Sequence, residues 1–313
     1  MAQTDDVSFL DAAAGQLGEF TKQILSFYVP LALKLPSFRD SEALMHATVK
    51  AEAASGITDV VTEADKTTQQ SIKDAVAALH PDWQFWGEEG DDNTSEYDPD
   101  APYLLVTDPI EGTNNFRSRL DDQWGSVVAV VDTQTKAPVI GIVAHPAKRL
   151  FYVGIQGGGA HVLRYGEDGV LLEHVPLAVQ PGPGYENFTY NNSPHFSEAL
   201  TNQVERFFGF GAVQPDTPGA SDMEKSRKTV VLADGVTFED PESGALEAVR
   251  NRGTIYFKTS NEMAAVFVIL QEIGGKVTDG QGNPWTLGIN TLIAARTQAD
   301  YAYLFGLYQK CLS

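Results

Sequence analysis

The sequence is poor in cysteine and in basic residues, and each shortage excludes a class of function. Cys311 is its single cysteine, so an intrachain disulfide and a cysteine-based zinc or iron–sulfur site are both excluded. Lys and Arg together number 22 against 42 Asp and Glu, which gives a formal net charge of −20. A surface with this charge repels nucleic acid and anionic membranes, so neither is expected as a partner.

Long apolar segments are also missing. The longest apolar runs, around residues 127–131 and 264–270, are far too short to span a bilayer. The first residues of the chain have neither the basic start nor the apolar stretch of a signal peptide. These observations predict a cytoplasmic location. The remaining composition, 42% hydrophobic and 20% charged, is that of a globular enzyme.

The spacing of apolar residues predicts two α/β halves, residues 1–165 and 166–313. In the first half it predicts a helix over residues 9–29 that ends before Pro30. Thr62 and Asp65 have the capping-box spacing, so a second helix is expected to begin there. Residues 103–107 form an apolar strand that leads into Asp108, and a meander of strands follows. The second half alternates strands and helices.

Residues 108–113 (Asp-Pro-Ile-Glu-Gly-Thr) are the strongest candidate site. Asp108 follows the apolar strand and Glu111 adds a second carboxylate from the same turn, which suits a hard cation such as Mg²⁺. The carbonyl of Ile110 is a third oxygen donor. Gly112 and Thr113 open the next helix, so their N–H groups are candidates to bind phosphate. The alternative is a turn whose acidic residues only cap a helix.

Three further acidic residues stand where predicted elements begin or end: Asp65, Glu88 and Glu262. Each has an ordinary explanation when it is taken alone. Asp65 and Glu262 can interact with the free N–H groups at a helix start, and Glu88 can be a solvated surface residue. Their order along the chain is what favours a shared metal site.

Taken in order, these segments resemble the inositol monophosphatase family. Residues 61–66 are similar to its early Thr-x-x-Asp segment, and residues 86–90 contain its Gly-Glu-Glu motif. Residues 108–116 match the pattern Asp-Pro-Ile-Asp-Gly-Thr-x-Asn-Phe with one change. Residues 261–265, followed by residues 272–275, resemble the final Trp-Asp-x-Ala…Glu-Ala-Gly-Gly motif at the same internal spacing.

The resemblance implies a five-layer αβαβα sandwich of the inositol monophosphatase and fructose-1,6-bisphosphatase type. It also implies a homodimer and Mg²⁺-dependent hydrolysis of a small phosphate monoester, with two or three ions. Glu88, Asp108 and the Ile110 carbonyl would hold the first ion. Asp108, Glu111 and Glu262 would hold the second, with Asp65 near a weaker third. Thr113 and Glu88 would orient the attacking water, with Asp65 as the third catalytic residue, while Gly112 and Thr113 would bind phosphate.

Two departures from the family pattern bear on activity. Glu111 stands where the family has Asp, and Asn261-Glu262 stands for Trp-Asp. Each glutamate keeps the carboxylate but lengthens the arm by about 1.5 Å. These changes leave open an alternative, a catalytically weakened relative that binds metal and has a regulatory or interaction role.

Three polar residues are candidates for contact with substrate, each with an ordinary alternative. Lys50 lies where relatives often carry a lysine close to the metals, but it could equally be a solvated lysine. Asn192 and Ser193 follow a predicted strand and could form an ordinary polar turn. Residues 212–245 match the family poorly, so the identity of the substrate cannot be transferred from it.

Overall fold

A computed structural model describes most of the chain. The described residues are 10, 15–52, 58–92, 98, 100–119, 124–177, 187–190, 213–215, 251–256, 263–295 and 297–312. None of the helices among them combines the length and the apolar character needed to cross a membrane.

A seven-stranded sheet forms the larger half of the structure. A short antiparallel hairpin precedes it, made of β1 (Ala47–Glu52) and β2 (Thr58–Thr62). The sheet contains β3 (Gln84–Gly87), β4 (Tyr103–Glu111), β5 (Gly125–Asp132), β6 (Pro138–His145), β7 (Leu150–Ile155), β8 (Gly159–Tyr165) and β9 (Leu171–Leu177), in sequence order across the sheet. The pair β3–β4 is parallel and the others are antiparallel. This is the predicted meander. The division of the chain at residue 165 stays a prediction.

Two helices, α1 (Gly15–Phe38) and α2 (Glu63–Leu79), cover one face of this sheet. The prediction that the first helix ends before Pro30 is wrong, because α1 continues through Pro30 and Pro36. A proline inside a helix removes a backbone hydrogen bond, but Pro30 lies on the exposed side. The buried stripe continues beyond it with Ala32 and Leu35, and their burial favours continuing the helix.

A short helix, α3 (Thr113–Ser118), follows β4. A second sheet and two more helices complete the layers. The sheet contains β10 (Asn187–Tyr190), β11 (Val213–Pro215), β12 (Asn251–Tyr256), β13 (Lys276–Thr278) and β14 (Leu292–Ala295), in the spatial order β11-β10-β12-β14-β13. Helix α4 (Met263–Glu272) shares one apolar cluster with both sheets, and α5 (Gln298–Leu312) packs on the outer face of the second sheet. The order helix, sheet, helix, sheet, helix is the predicted five-layer sandwich.

Helix α4 approaches the large sheet closely because glycines line its path. A Cβ atom added to Gly141 on β6 would lie 2.2 Å from the backbone oxygen of Ala265, and one added to Gly154 on β7 would lie 2.7 Å from the Cα of Ile269. Residues Met263 to Leu270 of α4 are all buried, so a shift of this helix would disturb its apolar packing against both sheets.

We expect Gly141→Ala to lower the free energy of unfolding by about 1–3 kcal/mol, because the added methyl group forces α4 away from the sheet. Gly306→Ala is the control: nothing lies within 4 Å of a Cβ there, and alanine favours a helix by up to about 1 kcal/mol. Denaturant midpoints of both variants measure the difference. A Gly141→Ala protein as stable as the wild type would contradict the close packing.

Candidate functional site

Asp65 is fully buried at the start of α2, where its carboxylate accepts several hydrogen bonds. Its Oδ2 accepts the backbone N–H of Thr62 at 2.8 Å and also the Thr62 hydroxyl. The Asp65 N–H donates to Thr62 Oγ1 at 3.4 Å. The capping box predicted from the spacing of these residues is therefore present. It fixes the Asp65 carboxylate on a rigid helix end.

The other oxygen of Asp65 faces Thr113. Thr113 Oγ1 lies 3.1 Å from Asp65 Oδ1 and also 3.1 Å from the carbonyl oxygen of Ile110. Thr113 begins the short helix α3 (Thr113–Ser118), whose N-cap Gly112 has a φ of 84° and provides no side-chain cap. That backbone conformation favours glycine. The contact therefore joins two predicted catalytic residues, 48 positions apart in the chain.

Asp108 and Glu111 lie on β4 rather than in a turn beyond it. The sequence predicts a strand that runs into Asp108 and ends there, but the strand continues to Glu111 with an irregular register between the two residues. Pro109 has no N–H to donate to a neighbouring strand, which suits such an irregularity. Asp108 Oδ1 accepts the N–H of Ile110 at 3.0 Å. Both carboxylates are buried, with 4% and 8% exposure.

Glu88 follows β3 and forms an ion pair with Lys50. Lys50 Nζ lies 2.8 Å from Glu88 Oε1 and 2.6 Å from Glu89 Oε1. Lys50 is the extra residue at the β-bulge of β1, between the pairs Val49–Val60 and Ala51–Asp59. Bulges redirect a side chain in this way. The structure thus brings Lys50 to the predicted metal ligand Glu88.

The carboxylates of Asp65, Glu88 and Glu89 lie close enough for their negative charges to interact. Burial raises the pKa of Asp65 to about 6, and the charge of Glu88 adds to this, while hydrogen bonds from Thr62 and Thr113 oppose it. Burial and the charge of Glu88 raise the pKa of Glu89 to about 7. Burial lowers the pKa of Lys50, but the two glutamates outweigh this effect and raise it overall. A further cation would stabilise the ionised carboxylates.

The family model of the inositol monophosphatase family matches residues 22–312. The chain belongs to the inositol monophosphatase family. Members of this family are phosphoric monoester hydrolases, so the predicted enzyme class is confirmed.

Individual members are distant in sequence. Inositol monophosphatase 1 of Saccharomyces cerevisiae is 25% identical over 249 residues, which is 76% of each chain. Inositol-1-monophosphatase of Rhizobium meliloti is 28% identical, over 76% of this chain and 79% of the relative. A solved inositol monophosphatase/NADP phosphatase complexed with Mg²⁺ and phosphate superposes with a TM-score of 0.63 at 17% identity, over 93% of this chain and 95% of that one. This last likeness confirms the fold.

The side chains of the site fit a hard divalent cation by their chemistry. Asp65, Asp108, Glu111 and Glu88 offer carboxylate oxygens, the donors that Mg²⁺ prefers, and the first three are buried. Within the described ranges, no group of three or more acidic, histidine or cysteine side chains is arranged to hold one ion. Glu262 lies outside the described residues, as do Asn192 and Ser193. The individual ligand assignments therefore stay predictions.

Sequence reasoning missed the contribution of Gln69, a buried residue of α2 whose amide contacts the backbone of Glu89. A signal for it was present. Asp65, Gln69 and Lys73 follow one another at intervals of four, so they lie on one face of the helix. If Asp65 is placed in the site, the helix face that carries Gln69 is expected to point toward the loop of Glu88 and Glu89.

Proposed function

We propose that this protein hydrolyses a phosphate monoester of inositol or of a similar small polyol or sugar, in a reaction that requires Mg²⁺. The observation that carries the proposal is the contact of Thr113 with Asp65 and with the Ile110 carbonyl on β4, the strand that carries Asp108 and Glu111, in a chain of this family. Two curated members, each named as an inositol monophosphatase, support the substrate class, and the neighbour with bound Mg²⁺ and phosphate supports the choice of metal.

Glu88, Asp108, the Ile110 carbonyl, Glu111 and Glu262 are the residues that would hold two ions, with Asp65 near a third. Bound Mg²⁺ would neutralise the phosphate and lower the pKa of a coordinated water into the working range. With a net charge of −20, the chain needs local positive charge to attract an anionic substrate, and bound cations would supply it.

The Thr113 hydroxyl directs its hydrogen toward Asp65 Oδ1 or the Ile110 carbonyl. Its lone pairs can therefore accept a hydrogen from a water molecule, and Glu88 is the second acceptor that we assign to that water. In this role Thr113 fixes the direction of attack on phosphorus. The water oxygen bonds to phosphorus as the ester P–O bond breaks, and the proton that the water loses passes to Glu88 and from there to solvent. The leaving alkoxide takes a proton from solvent, so the products are the free alcohol and phosphate.

The first turn of α3 is the phosphate-binding element that we assign. Gly112 provides no side-chain cap for this helix, so the N–H groups of Gly112 and Thr113 suit the equatorial phosphate oxygens. The reaction needs no serine, cysteine or histidine nucleophile. The homodimer and the cytoplasmic location stay predictions.

The proposal predicts phosphate release that depends on Mg²⁺. We expect turnover with at least one inositol, sugar or nucleotide monophosphate, complete loss of activity after treatment with EDTA, and recovery when Mg²⁺ is returned. A colorimetric assay of released phosphate measures all three. Full turnover in excess EDTA would overturn the mechanism. Binding of Mg²⁺ without any turnover would favour the catalytically weakened relative.

A further inference from the structure

The side-chain amide of Gln69 binds the backbone of the loop that carries Glu88. Gln69 Nε2 donates to the carbonyl oxygen of Glu89 at 2.8 Å, and Gln69 Oε1 accepts the N–H of Glu89 at 2.8 Å. The amide therefore pairs with both polar groups of one residue, as a neighbouring β-strand would. Gln69 is 5% exposed, so water cannot readily replace these two bonds.

Gly87 leaves the space that Gln69 occupies. A Cβ atom at Gly87 would lie 2.2 Å from Gln69 Cδ, 2.3 Å from Oε1 and 2.5 Å from Nε2. These separations are well below van der Waals contact, and the overlap involves the amide group that makes the two hydrogen bonds. Any side chain at position 87 must displace the Gln69 amide, so the two residues are coupled.

Hydrogen bonds therefore hold the backbone on both sides of the Glu88 side chain. Its own N–H donates to the carbonyl of Thr107 on β4 at 3.2 Å, while the next residue is held by Gln69 on α2. The backbone on either side of the Glu88 side chain is fixed by a different element. A side chain on such a backbone has fewer directions in which it can point.

A neutral amide is the group that this position needs. Gln69 Nε2 also lies 3.1 Å from Asp92 Oδ2, and Asp92 forms an ion pair with Lys73. A glutamate at position 69 could not donate to Glu89 or to Asp92, and it would add a buried negative charge to a region that already holds Glu88 and Glu89.

We propose that Gln69 is a positioning residue that directs Glu88 toward the divalent ion, and that Gly87 is required to admit its amide. This inference rests on the proposed function, since Glu88 is assigned there as a metal ligand. Gln69 acts through Glu89 and the loop backbone and does not itself touch the substrate or the ion.

A double-mutant cycle on the full-length protein tests this inference, with Mg²⁺ affinity measured by calorimetry. We expect Gln69→Ala and Gly87→Ala each to weaken Mg²⁺ binding by about 10-fold or more, the size typical of residues that orient metal ligands. Because Gly87→Ala acts by displacing Gln69, the double variant is expected to bind about as weakly as either single variant. Gln69→Met, which keeps the length and apolar packing of the side chain, is expected to match Gln69→Ala.

Gln70→Ala is the matched control, because Gln70 is the exposed neighbour on the same helix and its Nε2 donates to Asp74 Oδ1 at 2.7 Å. Its Mg²⁺ affinity should equal that of the wild type. Unchanged Mg²⁺ affinity in Gln69→Met would overturn the positioning role. So would a double variant whose loss of Mg²⁺ binding free energy equals the sum of the losses in Gln69→Ala and Gly87→Ala. A wild-type protein that binds Mg²⁺ but hydrolyses no phosphate ester would overturn the proposed function alone, and the cycle would still decide the role of Gln69.

Discussion

Replacing Thr113 by valine is expected to lower turnover by about 100-fold or more while Mg²⁺ affinity stays close to that of the wild type. Valine keeps the shape of threonine but has no hydroxyl, so the contacts with Asp65 Oδ1 and the Ile110 carbonyl are lost. The acceptor that orients the attacking water is lost with them, and a displacement of a reacting group by about 1 Å can cost about 10²-fold in rate. Initial rates at saturating Mg²⁺ measure the effect, and calorimetry measures the affinity.

Two further variants separate catalysis from folding in that experiment. Thr113→Ser restores the hydroxyl and is expected to recover most of the activity. Thr67→Val makes the same substitution at an exposed position of α2 and should leave the rate unchanged. Loss of a hydrogen bond to buried Asp65 costs about 1–3 kcal/mol of stability, which denaturant unfolding will register separately. Equal turnover in Thr113→Val and the wild type would remove Thr113 from the mechanism.

Local sequence patterns predicted the elements whose stabilising contacts are themselves local. The capping box of Thr62 and Asp65 depends on residues three positions apart, so its spacing predicts both the helix start and the orientation of the carboxylate. The meander of β5, β6 and β7 follows from short turns between apolar strands. The prediction of the five-layer order had another basis, because it came from the resemblance to a family and not from the spacing of apolar residues.

Contacts between distant segments explain what the sequence could not predict. Helix α1 continues beyond Pro30 because Ala32 and Leu35 are buried against the rest of the protein. A rule based on the local effect of proline does not include the free energy of that burial. The amide of Gln69 acquires its role only where Gly87 leaves space for it, 18 positions later in the sequence. Lys50 likewise meets Glu88 across 38 positions through a bulge that no local pattern indicated.

Glu111→Gln is expected to cut turnover by orders of magnitude without unfolding the protein. Glutamine keeps the size of the side chain and removes the negative charge that we assign to the second metal ion. Mg²⁺ that binds the folded protein stabilises it, by an amount that grows with the logarithm of the Mg²⁺ concentration divided by Kd. Weaker binding should therefore also shrink the upward shift of the melting temperature with Mg²⁺. Glu173→Gln on β9, where Glu173 pairs with Arg164 on a half-exposed strand, is the control and should keep both activity and the shift.

Glu111→Asp is the sharper test, because aspartate is the residue that the family pattern has at this position. The longer arm of Glu111 at the irregular end of β4 requires a site spaced for it, and Glu262 is the second lengthened ligand in the sequence. We therefore expect Glu111→Asp alone to weaken Mg²⁺ affinity. The double variant Glu111→Asp/Glu262→Asp should depart from the sum of the two single effects, since ligands of one ion are coupled. Calorimetric Mg²⁺ titrations of the four proteins measure this coupling. Additive losses, together with full activity and Mg²⁺ dependence in Glu111→Gln, would show that Glu111 and Glu262 do not share an ion.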